Sequence, residues 1–167
     1  MQPQVEAKPA DSQTFTDTLM LTITRKLEFD AGHRIPDHKS QCRNLHGHRY
    51  TLEITLTGNV IEMDGSSDNG MIMDFSDVKA LANKHLVDVW DHAFLVYEGD
   101  HLVREFLATI PNHKTVMIDR IPTVENLAKV AFDILRQVFL DRFGTGLRLH
   151  KLVLHETPNC WAEITNQ

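Results

Sequence analysis

Two runs of strict alternation, set on either side of one histidine-rich turn, constrain this chain more than any other feature. In the first, Leu21, Ile23, Leu27 and Phe29 alternate with Thr22, Thr24, Lys26 and Glu28. In the second, Tyr50, Leu52, Ile54 and Leu56 alternate with Arg49, Thr51, Glu53, Thr55 and Thr57. A period of two marks a half-buried strand, apolar on one face and wet on the other. Between the runs lies Cys42-Arg43-Asn44-Leu45-His46-Gly47-His48. The spacing predicts an antiparallel hairpin with this thiol and imidazole cluster at its closed end.

Parity then picks out a third histidine. Carried past Ala31, the apolar face of the first run reaches His33; run backwards, that of the second reaches His48 and His46. Histidines at i and i+2 point to the same side of an extended backbone, so an extended His-Gly-His grips one ion. Without a bulge in either strand, His33 meets His46 and His48. Three imidazoles leave one open position on tetrahedral zinc, the arrangement of catalytic sites; with Cys42 as a fourth ligand the ion would only staple the hairpin. Spacing alone leaves both readings standing.

At 167 residues the chain fits one domain that buries most of its apolar surface without disulfides. The formal charge of -6 argues against a nucleic-acid partner, which selects for excess Lys and Arg. Two cysteines, Cys42 and Cys160, make no disulfide framework, and no run is long and apolar enough for a membrane helix. Met1 to Asp17 has no apolar core behind a basic start, so it is not read as a secretory signal. A reducing, cytoplasmic setting is the expectation, with residues 1–18 a loose polar arm ahead of a folded domain over 19–167.

Along the chain, the glycine and acid cluster from Glu62 to Gly70 reads as a surface loop. Val78, Leu81, Ala82, His85, Leu86 and Val89 predict a helix capped by Ser76 and ending near Trp90. Asp91 and His92 follow at its exit, either as terminal polarity or as a histidine tuned by its carboxylate neighbour for proton exchange. A short helix over His101 to Thr109 and a strand over Lys114 to Ile118 come next. Thr123 caps the longest helix, whose buried stripe is Leu127, Ala131, Ile134, Leu135 and Val138, and which stops before Gly144. Two last strands, Leu147 to Glu156 and Cys160 to Thr165, turn through Thr157-Pro158-Asn159. Glu156 shares the apolar parity of Leu152 and Leu154, where a carboxylate needs a partner such as a ligand with paired N–H donors. The order predicts an α+β domain: an antiparallel four-stranded sheet with helices on one face, its polar face meeting solvent or lining a barrel built with other copies.

Taken together, Phe29-Asp30-Ala31-Gly32-His33-Arg34, the Cys-x-x-x-His-Gly-His run, Met71-Ile72-Met73-Asp74-Phe75, Trp90-Asp91-His92, Pro122-Thr123-Val124-Glu125-Asn126 and His155-Glu156-Thr157-Pro158 resemble the group of 6-pyruvoyl- and 6-carboxy-tetrahydropterin synthases. The resemblance runs from about Met20 to Ile164. It implies a tunnelling fold whose subunits join their sheets around a barrel, a homohexamer of two trimers, with active sites between subunits. By the same resemblance His33, His46 and His48 bind Zn2+ and Cys42 is the base. Asp91 and His92 transfer protons, and Glu156 anchors the pterin of a pterin triphosphate, with Thr123 a second substrate contact. The single Cys-x-x-x-His-Gly-His spacing and the Glu-Thr-Pro ending look most like the bacterial 6-carboxy-tetrahydropterin synthases of queuosine biosynthesis. Those are carbon-carbon lyases that release acetaldehyde and triphosphate from 7,8-dihydroneopterin triphosphate. The alternatives are a 6-pyruvoyl-tetrahydropterin synthase, which eliminates only triphosphate, a non-catalytic zinc-stapled oligomeric module, and a zinc hydrolase. Lys39, Arg43 and Arg34 are either triphosphate contacts or a solvated loop.

Overall fold

The two alternating runs pair in the computed structural model, which describes residues 19–166. Strands β1 (Thr22–His33) and β2 (His46–Gly58) form an antiparallel ribbon with unbroken register, in which Phe29 faces Tyr50, Ala31 faces His48 and His33 faces His46. Leu27, Phe29, Ala31 and His33 of β1 and Tyr50, Leu52, Ile54 and Leu56 of β2 turn inward and are buried. The arm expected over residues 1–18 lies outside the described residues.

The sheet is larger than four strands and is not wholly antiparallel. Its order is β4-β3-β1-β2-β5-β6, with β3 (Ala93–Tyr97), β4 (Thr115–Ile118), β5 (Leu147–Thr157) and β6 (Cys160–Thr165). Strand β3 runs parallel to the end of β1 and β4 runs parallel to β3, which corrects the expected four-stranded sheet. Ala93-Phe94-Leu95-Val96-Tyr97 is apolar on both faces, as strands of parallel sheets are. With no alternation to betray it, the segment gives no strand signal behind the helix predicted to end near Trp90.

The expectation of helices on one face is corrected as well. Ala93 and Leu95 join the main core, whereas Val96, with Phe94 against it, packs on Val103 and Leu107 of α3 (His101–Ala108). Since successive residues of β3 point to opposite faces, α3 covers the face away from the core. The long helix α4 (Val124–Phe143) covers the inner face, burying Leu127, Ala128, Ala131, Phe132, Leu135 and Phe139. Leu127, Ala131 and Leu135 of the predicted stripe are buried, whereas Ile134 and Val138 are half-buried and Ala128, Phe132 and Phe139 lie inside. Thr123 caps it, its hydroxyl oxygen accepting from the Asn126 N–H at 3.4 Å.

The helix ahead of β3 is capped by Asp74, not Ser76: the Asp74 carboxylate accepts from the Ser76 N–H at 2.6 Å. It runs as α1 (Phe75–Ala82), then a π turn over Asn83–Val87, then α2 (Asp88–Trp90). The π turn takes in one extra residue and rotates the last turn of the helix by about 100°. Val87 and Trp90 are therefore turned into the core while Val89 is exposed.

Candidate active site

At the closed end of the ribbon the ligand atoms of His33, His46 and His48 lie within 4.8 Å of one another. The ring of His33 is sealed from solvent and stands 4.5 Å from that of His46 and 5.2 Å from that of His48, centroid to centroid. Its Nδ1–H donates to the Pro122 carbonyl at 2.7 Å, and the Nδ1–H of His46 donates to the Asn44 carbonyl at 2.8 Å. A carbonyl only accepts, so these partners place a proton on each Nδ1 and leave the two Nε2 atoms as the ones that can face an ion. Burial pushes the pKa of His33 down to about 4 and lowers that of His48.

The Nε2 of His33 is buried and receives no hydrogen bond, although the Oε1 of Glu156 stands 3.5 Å away. With the ring neutral and its proton on Nδ1, this contact sets a lone pair against a carboxylate and is not an ion pair. A cation shared by these atoms would turn that repulsion into attraction. Neutral imidazoles, fixed tautomers and an orphaned buried nitrogen together fit a divalent metal.

Glu156, singled out from the sequence, reaches this trio, and Thr123 and Cys42 lie on the segments that lead to it. Glu156 lies near the end of β5 on the inner face; burial of Tyr50 first, and then the Glu156 charge, push the pKa of the Tyr50 hydroxyl up. Pro122, whose carbonyl orients His33, puts Thr123 beside the trio at the start of α4. Cys42 is half-buried in a short 3-10 turn, Gln41–Arg43, and its carbonyl accepts from the Ile35 N–H at 2.8 Å. Its sulfur is not among the ligand atoms clustered within 4.8 Å.

Asp91 and His92 form a second cluster and do not join the first. His92 takes a left-handed backbone, φ 56°, and its Nδ1–H donates to the Asp91 Oδ2 at 2.8 Å. The other Asp91 oxygen accepts from the Asp30 N–H at 2.9 Å, and this bond is the main cause holding the Asp91 carboxyl below the usual range. The carboxylate of Asp30, itself lowered by its pair with Arg49, completes the cluster. Asp30 points to the outer face of β1 and His33 to the inner one, so the two clusters flank the ribbon from opposite sides.

Sequence reasoning missed Asp30, Arg49 and the carbonyls of Pro122 and Asn44. Asp30 and Arg49 face each other across the ribbon, which register could have told; the carbonyls leave no mark on a sequence. Arg34 is committed to a bidentate pair with Asp100, the N-cap of α3, at 2.5 and 2.7 Å. Lys39 and Arg43 lie on the surface loop.

The comparisons with known proteins bear on the fold and the family. A family model described as 6-pyruvoyl tetrahydropterin synthase matches residues 22–167. The chain is 35% identical to the 6-carboxy-5,6,7,8-tetrahydropterin synthase of Rickettsia conorii over 148 residues, 87% of this chain and 100% of that one. Among solved structures, the 6-pyruvoyl tetrahydropterin synthase of Caenorhabditis elegans matches with a TM-score of 0.60 at 26% identity, covering 89% of this chain and 97% of its own. An uncharacterized protein from Wolinella succinogenes shares the fold, with a TM-score of 0.73 at 19% identity over 90% of this chain and 100% of its own. The fold is thus that of a pterin-synthase type of enzyme. The chain belongs to the 6-pyruvoyl tetrahydropterin synthase family.

Proposed function

We propose that this chain is a zinc-dependent carbon-carbon lyase that converts 7,8-dihydroneopterin triphosphate and one water to 6-carboxy-5,6,7,8-tetrahydropterin, acetaldehyde and triphosphate, in queuosine biosynthesis. One observation carries the reading: three imidazoles converge with an orphaned buried nitrogen, in a chain with relatives of that name. His33, His46 and His48 would hold the ion, and the chemistry it supplies when bound is Lewis acidity toward a side-chain oxygen of the substrate.

The chain's own residues divide the remaining work. Cys42, free of the ligand cluster, removes a carbon-bound proton from the substrate side chain. His92 carries a proton on the nitrogen facing Asp91 and exchanges one through the other nitrogen. Glu156 accepts from the amino-pyrimidine edge of the pterin, and Thr123, whose hydroxyl hydrogen remains free to donate, adds a second contact.

Because the clusters flank opposite faces of the ribbon, Cys42 of one subunit works with His92 of another in this reading. Two unlike open edges support the assembly that requires. Among the described residues β1 meets β3 only over residues 31–33, with Asp30 bonded to the turn at Asp91 and His92, leaving residues 22–29 without a strand partner on that side, and β6 has none beyond β5. Joined head to tail, such edges close a barrel, and two trimeric rings stack as a hexamer. A cytoplasmic site of action belongs to the same reading. No helix among the described residues is long and apolar enough to cross a membrane.

The deciding experiment incubates the zinc-loaded protein with 7,8-dihydroneopterin triphosphate and follows acetaldehyde. Acetaldehyde with a carboxylated pterin supports the proposal. A pyruvoyl pterin without acetaldehyde replaces it with the triphosphate-eliminating synthase, a reading favoured by the likeness to the Caenorhabditis elegans structure. Unchanged substrate leaves a zinc-stapled module.

A further inference from the structure

The left-handed turn at His92 is held by more than its neighbours in sequence. A non-glycine residue at φ 56° is costly and persists only where surrounding bonds impose it. Two come from β1: the Asp30 N–H donates to Asp91, and the His92 N–H donates to the Asp30 carbonyl at 2.6 Å. Two more come from Lys114, which lies just ahead of β4. Its ammonium donates to the Asp91 carbonyl at 2.6 Å and to the Asp88 carbonyl at 2.7 Å, closing the last turn of α2 where helix carbonyls lack partners.

Lys114 is also anchored through its backbone, its carbonyl accepting from the Phe94 N–H at 2.9 Å. It therefore clasps the chain on both sides of His92, at residues 88 and 91 by its side chain and at residue 94 by its main chain. Lys114 is exposed, and an ordinary surface lysine leaves its ammonium in water. This one is spent on two carbonyls of the turn that presents Asp91 and His92.

We propose that Lys114 is a positioning residue for proton transfer, acting through His92: it locks the turn so that the imidazole meets substrate in one orientation. The inference rests on the proposed role of His92, and two readouts separate the two claims. Amide hydrogen exchange tests the lock whatever His92 does. In Lys114→Met, the His92 amide should exchange at least about tenfold faster, with core amides such as Leu52 unchanged.

Kinetics tests the consequence. Lys114→Met should lower kcat for acetaldehyde release by about 10- to 100-fold with KM nearly constant, since a misplaced catalytic group costs rate and not binding. Lys114→Arg, which also donates to two carbonyls, should recover most of it. In a His92→Ala background, Lys114→Met should add no further loss. Unchanged exchange at His92 overturns the inference, and so does a kcat loss that multiplies that of His92→Ala. If exchange accelerates while His92→Ala retains full activity, the lock stands but positions nothing catalytic. That outcome overturns the inference through the role given to His92.

Discussion

The proposed function gives the inner-face histidines and Cys42 different duties, and single substitutions separate them. His33→Ala should abolish stoichiometric zinc as read by metal analysis, because it removes the buried ligand held by Pro122. Cys42→Ala should keep its zinc yet lose about 10²- to 10⁴-fold in acetaldehyde release; loss of metal with activity would mark Cys42 as a ligand. The depressed pKa of His33 fixes a pH effect in the metal-free protein. Unfolded, the ring titrates near 6.5; folded, it titrates at about 4. The penalty for keeping it neutral is absent above pH 6.5 and grows as pH falls toward 4, by about 1.4 kcal/mol per unit. His48 shifts the same way. The urea midpoint should thus fall between pH 7 and pH 5, and a rise would contradict the burial of a neutral ring. The trio was legible because a two-residue period and an unbroken register carry side-chain direction along the strand. The orientation of His92 was not, since a positive φ at a non-glycine residue has no signature in sequence.

Among elements, the ribbon depends on close backbone approach between its two histidine-bearing ends. A Cβ on Gly47 would stand 2.9 Å from the Ala31 carbonyl oxygen, a backbone atom that cannot step aside. Gly47→Ala should cost about 1–3 kcal/mol and weaken zinc binding, by forcing β1 and β2 apart between His46 and His48; calorimetry with a zinc titration measures both. An unaltered melting temperature would mean that the strands separate more freely than their register implies. Strands β1, β2, β5 and β6 and the cap of α4 were legible from alternation and from Thr123. Strand β3 was not, because burial on both faces erases alternation. The π turn, too, is set by tertiary packing, and with it the phase that exposes Val89 and buries Trp90.

For the whole molecule, clusters on opposite faces of one ribbon predict that no single subunit owns a complete site. Cys42→Ala and His92→Ala proteins should each be nearly inactive, whereas dissociating, mixing and reassociating them should restore a measurable fraction of turnover. Mixtures as inactive as their parents would place Cys42 and His92 in the same subunit's site. The open lengths of β1 and β6 carry a further implication. In the proposed ring these two edges meet as unlike partners, so growth would proceed in one polarity until the ring shuts. A subunit whose β6 accepts no neighbour, for instance one carrying proline there, still offers its β1 margin and so acts as a terminator. Co-expressed with the intact chain, it should poison assembly in a dose-dependent way, leaving truncated arcs in place of finished rings.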